Sequence, residues 1–157
     1  MVTVYRAEHI GSLLRPRELL EARESHQRGD KTSGELREIE DKFILEALEL
    51  QRQVGVSVYS DGEYRRAWYA GAFEESAEGI VIDPEGPVDS RWQGPGRDHA
   101  IATAADLSVT NRAVGARLRQ IRRLAAHESN FLKEHAPGPF KVTLPGVMTR
   151  AIVWYKP

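Results

Sequence analysis

Asp61, Glu63, Arg65 and Arg66 crowd into the segment Tyr59–Arg66, directly behind the apolar run Val54-Gly55-Val56-Ser57-Val58. A short β-branched run after a helix-ending glycine reads as a buried strand, so these charges fall where a strand leaves a sheet. α/β enzymes keep their chemistry at such places. A carboxylate there can pair with an ammonium group, which makes Glu63 a candidate binding residue. The residues alone leave a second reading open, an ordinary loop ion pair between Glu63 and Arg65 or Arg66. A second candidate is the turn Ile10-Gly11-Ser12. Its glycine lets backbone approach a ligand closely, and its hydroxyl and N–H groups can hold a carboxylate. His9, just before that turn, is either a hydrogen-bonding group of the loop or a substrate contact.

Several chemistries are excluded by composition. The chain has no cysteine, which rules out disulfides, thiolate zinc sites and a cysteine nucleophile within it. His9, His26, His99, His127 and His135 show no metal-ligand spacing such as His-x-x-x-His. With 22 basic against 23 acidic residues, the whole-chain field gives no reason to expect a nucleic acid or a membrane as partner. The basic residues of Arg112–Arg123 read as a solvated face. The start of the chain lacks an apolar h-region and nowhere do 18 apolar residues run together, so a cytoplasmic protein is expected.

The elements that must position these residues alternate. Thr3-Val4-Tyr5 predicts a first strand leading into the loop at 7–12. Pro16 suits the first turn of a helix with Leu19, Leu20 and Ala22 on its apolar side, ending near Gly29. Thr32-Ser33-Gly34-Glu35 has capping-box spacing, and Leu36, Ile39, Phe43, Ala47, Leu50 and Val54 recur at three and four residues, predicting a helix that packs this stripe in the core and stops at Gly55. The strand 56–59 follows. Glycines and prolines punctuate residues 70–105, predicting a loop insertion with a small hairpin at Ile80-Val81-Ile82. Residues 111–122 fit a strand that passes into a helix near Leu124, a helix over about 125–135 stops at Pro137-Gly138-Pro139, and 140–144 alternates as a third core strand. Strands joined by crossover helices predict an α/β fold with a parallel sheet. At 157 residues the chain is shorter than the roughly 250 of a complete (β/α)₈ barrel, so residues 1–157 are expected to form one domain that reads as cut off in mid-fold.

Three motifs, in order, resemble one family: His9-Ile10-Gly11-Ser12-Leu13-Leu14-Arg15-Pro16, then Ser60-Asp61-Gly62-Glu63-Tyr64-Arg65-Arg66, then Phe131-Leu132-Lys133 with Lys141-Val142-Thr143-Leu144-Pro145-Gly146. Together they are similar to the catalytic domain of cobalamin-independent methionine synthase and its single-domain relatives. The resemblance implies the first half of a TIM-type (β/α) barrel. It implies methyl transfer from a methylated, polyglutamylated tetrahydrofolate to the thiol of homocysteine, with Ile10, Gly11, Ser12 and Glu63 holding the amino acid. Trp154 falls near the position of the family's folate-stacking tryptophan, against the plainer reading of a buried aromatic. Arg91 and Arg97 could meet a polyanionic substrate tail. The family's zinc is bound by His, Glu and Cys ligands from the second half of the barrel, and none of them falls in this chain.

The resemblance therefore implies a substrate-binding half, with no metal ligand or catalytic residue assigned here and zinc present only if a second half supplies its ligands. The isolated chain is expected to be inactive. Its open sheet edges imply a homodimer or a separately encoded second-half subunit. The alternative is a non-catalytic oligomeric remnant that binds an amino acid, a folate or a protein partner.

Overall fold

A computed structural model describes residues 7–66, 71–74, 76–82, 112–144 and 154–155. The order is α1 (Arg17–Gln27), α2 (Ser33–Gln53), α3 (Gly71–Glu74), β1 (Ala77–Ile82), β2 (Arg112–Gln120), α4 (Ala126–His135) and β3 (Trp154–Tyr155). The class is mixed α/β. The chain divides into two compact units, residues 1–72 with 124–144, and residues 73–123 with 145–157. The expected first strand at 3–5, most of the segment 70–105, and Arg91, Arg97, Pro145 and Gly146 lie outside the described residues.

In the first unit, α1 and α2 form a helical pair. Pro16 is the residue just before α1, and its carbonyl accepts from the N–H groups of Leu19 and Leu20. It thus precedes the first turn in which the sequence placed it. α2 opens on the expected capping box, where Thr32 Oγ1 accepts from the Glu35 N–H at 3.2 Å and Glu35 accepts from the Thr32 N–H at 2.8 Å. That satisfies two N–H groups with no helical partner and holds the Glu35 carboxyl below its usual range. Behind α2 the chain turns at Gly55, whose φ is 79°.

The core joins Leu19, Phe43, Ile44, Ala47, Leu48, Tyr59, Tyr64 and Leu132. The expected α2 stripe is only partly inside. Phe43 and Ala47 are buried, but Leu50 and Val54 are 56% and 67% exposed. The buried face runs instead through Glu40, Ile44, Leu48 and Gln51. Its direction follows from Gln51, whose side chain turns inward onto the backbone of Ser60.

Three segments of this unit lie side by side and parallel. Glu8 bridges Val58, and Tyr59 bridges Phe140. The bonds run from Ser57 N to Ala7 O (2.8 Å), Tyr59 N to Pro139 O (2.8 Å) and Lys141 N to Tyr59 O (2.9 Å). Where the sequence predicts core strands at 56–59 and 140–144, these are isolated bridges. One reason is local: Gln51 Oε1 accepts from Ser60 N at 3.0 Å and Gln51 Nε2 donates to Ser60 O at 2.9 Å, so a side chain takes the next rung of the ladder.

In the second unit, β1 and β2 pair antiparallel and β3 pairs parallel with β2. Ile80-Val81-Ile82 lies in β1, as expected, but its partner strand is Arg112–Gln120, beyond the segment 70–105. A bulge falls between Glu78 and Ile80. Gly79 makes it possible, since φ is 94° and a Cβ there would lie 2.8 Å from the Arg117 carbonyl oxygen.

Candidate functional site

The turn after Tyr59 is built for one carboxylate. Asp61 Oδ1 accepts from the Glu63 N–H at 3.0 Å, an Asx turn, and Tyr64 N and Arg66 N bond back to the carbonyls of Asp61 and Glu63 at 3.3 and 3.1 Å. Gly62 and Glu63 both take positive φ, 65° and 57°. For Glu63 this left-handed backbone is uncommon, and such strain persists only where the surroundings enforce it. Here they do. A Cβ on Gly62 would come within 2.9 Å of Leu13 Cδ1, and the Leu13 N–H donates to Gly62 O at 3.1 Å. Arg15 Nη2 donates to Glu63 O at 3.2 Å and to Arg66 O at 3.0 Å, Arg23 donates to the carbonyls of Tyr64 and Arg66, and the Tyr64 hydroxyl donates to Leu14 O at 2.8 Å. The loops at 10–15 and 60–66 are thereby locked together.

The Glu63 side chain, with the residue 5% exposed, meets two hydroxyls from distant segments. Ser12 Oγ donates to Oε2 at 2.8 Å and Thr143 Oγ1 donates to Oε1 at 2.7 Å. Behind Thr143 stands Arg66, which donates to Thr143 O at 2.7 Å and to Thr143 Oγ1 at 3.2 Å. Its other edge forms a bidentate pair with Glu128, with Nε to Oε1 at 2.6 Å and Nη2 to Oε2. Glu128 sits in the first turn of α4 and is fully buried. Burial works against the Arg66 cation, but pairing with Glu128 outweighs it and raises the Arg66 pKa. Burial pushes the Asp61 carboxyl above its usual range, with the Glu128 charge adding to the effect and the Glu63 N–H, Arg66 and Arg65 opposing it. Asp61 Oδ2 is buried without a hydrogen-bond partner among the described residues.

Ser12 and Glu63 are therefore brought into direct contact, with Gly11, at φ 87°, in the same loop. Ile10 is 80% exposed in that loop. The Ser12 hydroxyl points its proton at Glu63, which leaves the backbone N–H groups of this turn as its donors for an anionic group. Arg65 pairs with Glu40 and Asp41 and stacks over the Phe131 ring at 4.8 Å. His9 Nε2 is buried with no hydrogen-bond partner among the described residues. Trp154 belongs to β3 in the second unit, and its side chain lies outside the described residues. Sequence reasoning missed Thr143, Glu128 and Gln51. Glu128 had a signal, a charge three and four residues before Phe131 and Leu132 on the inner side of a helix.

Among the described residues no three His, Cys, Asp or Glu side chains are grouped so as to hold a metal ion. The chain has no cysteine, so it supplies no thiolate ligand to a zinc site of the kind the resemblance implies. None of the described helices is long and apolar enough to cross a membrane.

No protein-family model matches the chain. Over 76 residues, 48% of its length, it is 41% identical to the uncharacterized protein YxjH of Bacillus subtilis (strain 168) and 40% identical to the uncharacterized protein YxjG of the same organism. The match spans about a fifth of the length of those relatives, 20% in each case. In fold, the chain is similar to a Listeria monocytogenes protein whose assignment as a vitamin-B12-independent methionine synthase is provisional. The TM-score is 0.66 at 25% identity, covering 99% of this chain and 42% of that one. It is also similar to a B12-independent methionine synthase from Shewanella sp. W3-18-1 in complex with selenomethionine, with a TM-score of 0.55 at 21% identity over 80% of this chain and 33% of that one. At the level of fold, the neighbours of this chain are cobalamin-independent methionine synthase-like proteins.

Proposed function

We propose that this chain supplies the amino-acid-binding half of a methyltransferase of the cobalamin-independent methionine synthase type, acting on homocysteine or a similar thiol with a methylated folate as donor. The parallel bridges Glu8–Val58 and Tyr59–Phe140 then represent the first three strands of a partial (β/α) barrel. The carrying observation is the convergence of Ser12 and Thr143, 51 and 80 residues away in sequence, on the carboxylate of Glu63. In this reading Glu63 accepts the substrate ammonium, the Gly11–Ser12 backbone N–H groups take its carboxylate, and the Arg15 and Arg23 bonds to the carbonyls of the 60–66 turn hold the backbone of Glu63 in place. The selenomethionine held by the Shewanella protein supports an amino acid as the ligand class. Thiol activation falls to a second-half polypeptide, with which this chain assembles in the cytoplasm. No step through a metal is assigned to residues of this chain.

Calorimetric titration of the full chain with L-methionine and L-homocysteine, alone and mixed with a second-half polypeptide, tests the reading. Glu63→Gln keeps the size of the side chain and removes its charge, and should weaken binding by about 1–3 kcal/mol, roughly 5- to 150-fold. Unchanged affinity, or no binding by either the wild-type chain or the mixture, refutes it.

A further inference from the structure

We propose that Thr143 is a positioning residue whose hydroxyl, oriented by the Arg66–Glu128 pair, aims the Glu63 carboxylate at a cationic amine and so makes the site select amino acids over their deamino analogues. The inference rests on the amino-acid-binding reading above and concerns how the same site discriminates.

A guanidinium can only donate hydrogen bonds. Arg66 Nη1 lies 3.2 Å from Thr143 Oγ1, so a lone pair of that hydroxyl is already engaged. Its single proton goes to the acceptor on the other side, Glu63 Oε1 at 2.7 Å. Reversing the hydroxyl would turn its proton against an Arg66 N–H. The second contact, from Arg66 to the Thr143 carbonyl at 2.7 Å, fixes the backbone that carries the hydroxyl. Glu128 holds the far edge of the same guanidinium in two bonds, so Arg66 cannot turn without breaking a buried pair.

The consequence falls on Glu63. Ser12 donates to Oε2 and Thr143 to Oε1, so each oxygen already accepts one hydroxyl proton. A carboxylate has about four lone-pair sites. One remains on each oxygen, and both suit a group that only donates, such as an ammonium. A group without a donor proton in its place leaves those sites unanswered, and sites built to hydrogen-bond a ligand group reject analogues that lack it. Glu128 contributes at a distance by balancing the charge of Arg66, which leaves Glu63 to answer the ligand.

The test compares binding of L-methionine with binding of 4-(methylsulfanyl)butanoate, which lacks only the amine, by calorimetry on the full chain. Thr143→Val keeps the shape and removes the hydroxyl, and Thr143→Ser keeps the hydroxyl. The wild-type preference for methionine should fall roughly tenfold in Thr143→Val, the effect of one hydrogen bond to a charged group, with the deamino ligand little changed. Thr143→Ser should restore the preference to within about twofold. If Thr143→Val fails to fold in a thermal melt, Thr143→Ala read against Thr143→Ser gives the same comparison. Equal weakening of both ligands, or a preference that survives loss of the hydroxyl, overturns the proposal. Glu63→Gln separates the two levels. If it abolishes the preference while Thr143→Val does not, only the positioning role fails. If neither changes the preference, or neither the wild-type chain nor its mixture with a second-half polypeptide binds an amino acid, the amino-acid-binding reading fails as well.

Discussion

Replacing Glu128 by Gln keeps the size and shape of the side chain and takes away the charge opposite Arg66. The Arg66 side chain is only 3% exposed, so its cation would then lie in the interior facing an amide. One of the two acceptor oxygens becomes an NH₂ group pointed at an Arg66 N–H, so a bond is lost and a donor is set against a donor. Removing one partner of a buried pair costs about 3–5 kcal/mol. Arg66 keeps its two bonds to Thr143, which places the expected loss near the lower end, about 3 kcal/mol. With a urea slope of about 1.5 kcal/mol/M, the unfolding midpoint should drop by roughly 2 M. Circular dichroism at 222 nm follows it well, because α1 and α2 dominate the helical signal of the first unit. The double variant Arg66→Met/Glu128→Leu removes both charges together and should cost less than Glu128→Gln alone, since well-packed apolar replacements of buried pairs are often neutral. A midpoint shift under about 0.3 M for Glu128→Gln, or a double variant less stable than the single, would refute the account of Arg66–Glu128 as a coupled buried pair.

Two further outcomes follow from the same turn. Gly62→Ala combines a left-handed backbone with a Cβ 2.9 Å from Leu13 Cδ1 and should cost about 2–4 kcal/mol in urea unfolding; Leu13→Ala in that background should lessen the penalty, and a loss under about 1 kcal/mol would contradict the close approach. The raised pKa of Asp61 means that the folded chain holds its proton at pH values where the unfolded chain, titrating near about 4, has released it, so stability falls as pH rises above that value. The buried Glu40 carboxyl, raised chiefly by burial against the pull of Arg23, adds in the same direction. Asp61→Asn should therefore gain on the wild type in urea midpoint between about pH 4.5 and pH 7.5, and an equal difference at the two pH values would show that Asp61 does not carry the dependence.

Local patterns in the chain speak for local structure. The capping box at Thr32, the stop at Gly55, the strand over 112–120 and the helix at 126–135 each rest on residues within a few positions of one another, so spacing alone shows them. The inner face of α2 was only half legible. Glu40 and Gln51 lie on it, and a polar side chain on an inner face makes sense only once Arg23 and the Ser60 backbone are opposite. The contact of Ser12 with Glu63 lies beyond local patterns, since no periodicity links two loops 51 residues apart. Arg66 with Glu128, 62 residues away, had only half a signal: a charge inside a helix demands a partner without saying which. The strands at 56–59 and 140–144 were overread, because β-branched composition reports burial and cannot reveal that a glutamine side chain occupies the next rung.

The glutamine clamp also bears on how this chain can change. Gln51 ties the start of the Ser60–Arg66 turn to a 21-residue helix, and Arg15 and Arg23 hold its end through backbone carbonyls. The carboxylate seat is thus anchored from behind, whereas the neighbouring loop presents Ile10 and Leu14 to solvent at 80% and 94% exposure, and Leu14 meets the Tyr64 hydroxyl only through its carbonyl. Variation at those two side chains changes the exposed face of the loop without disturbing the contacts that hold the turn. Selection, or a laboratory library, has here a fixed chassis with two interchangeable parts, and the outer face of this loop can vary faster than the fold that supports it.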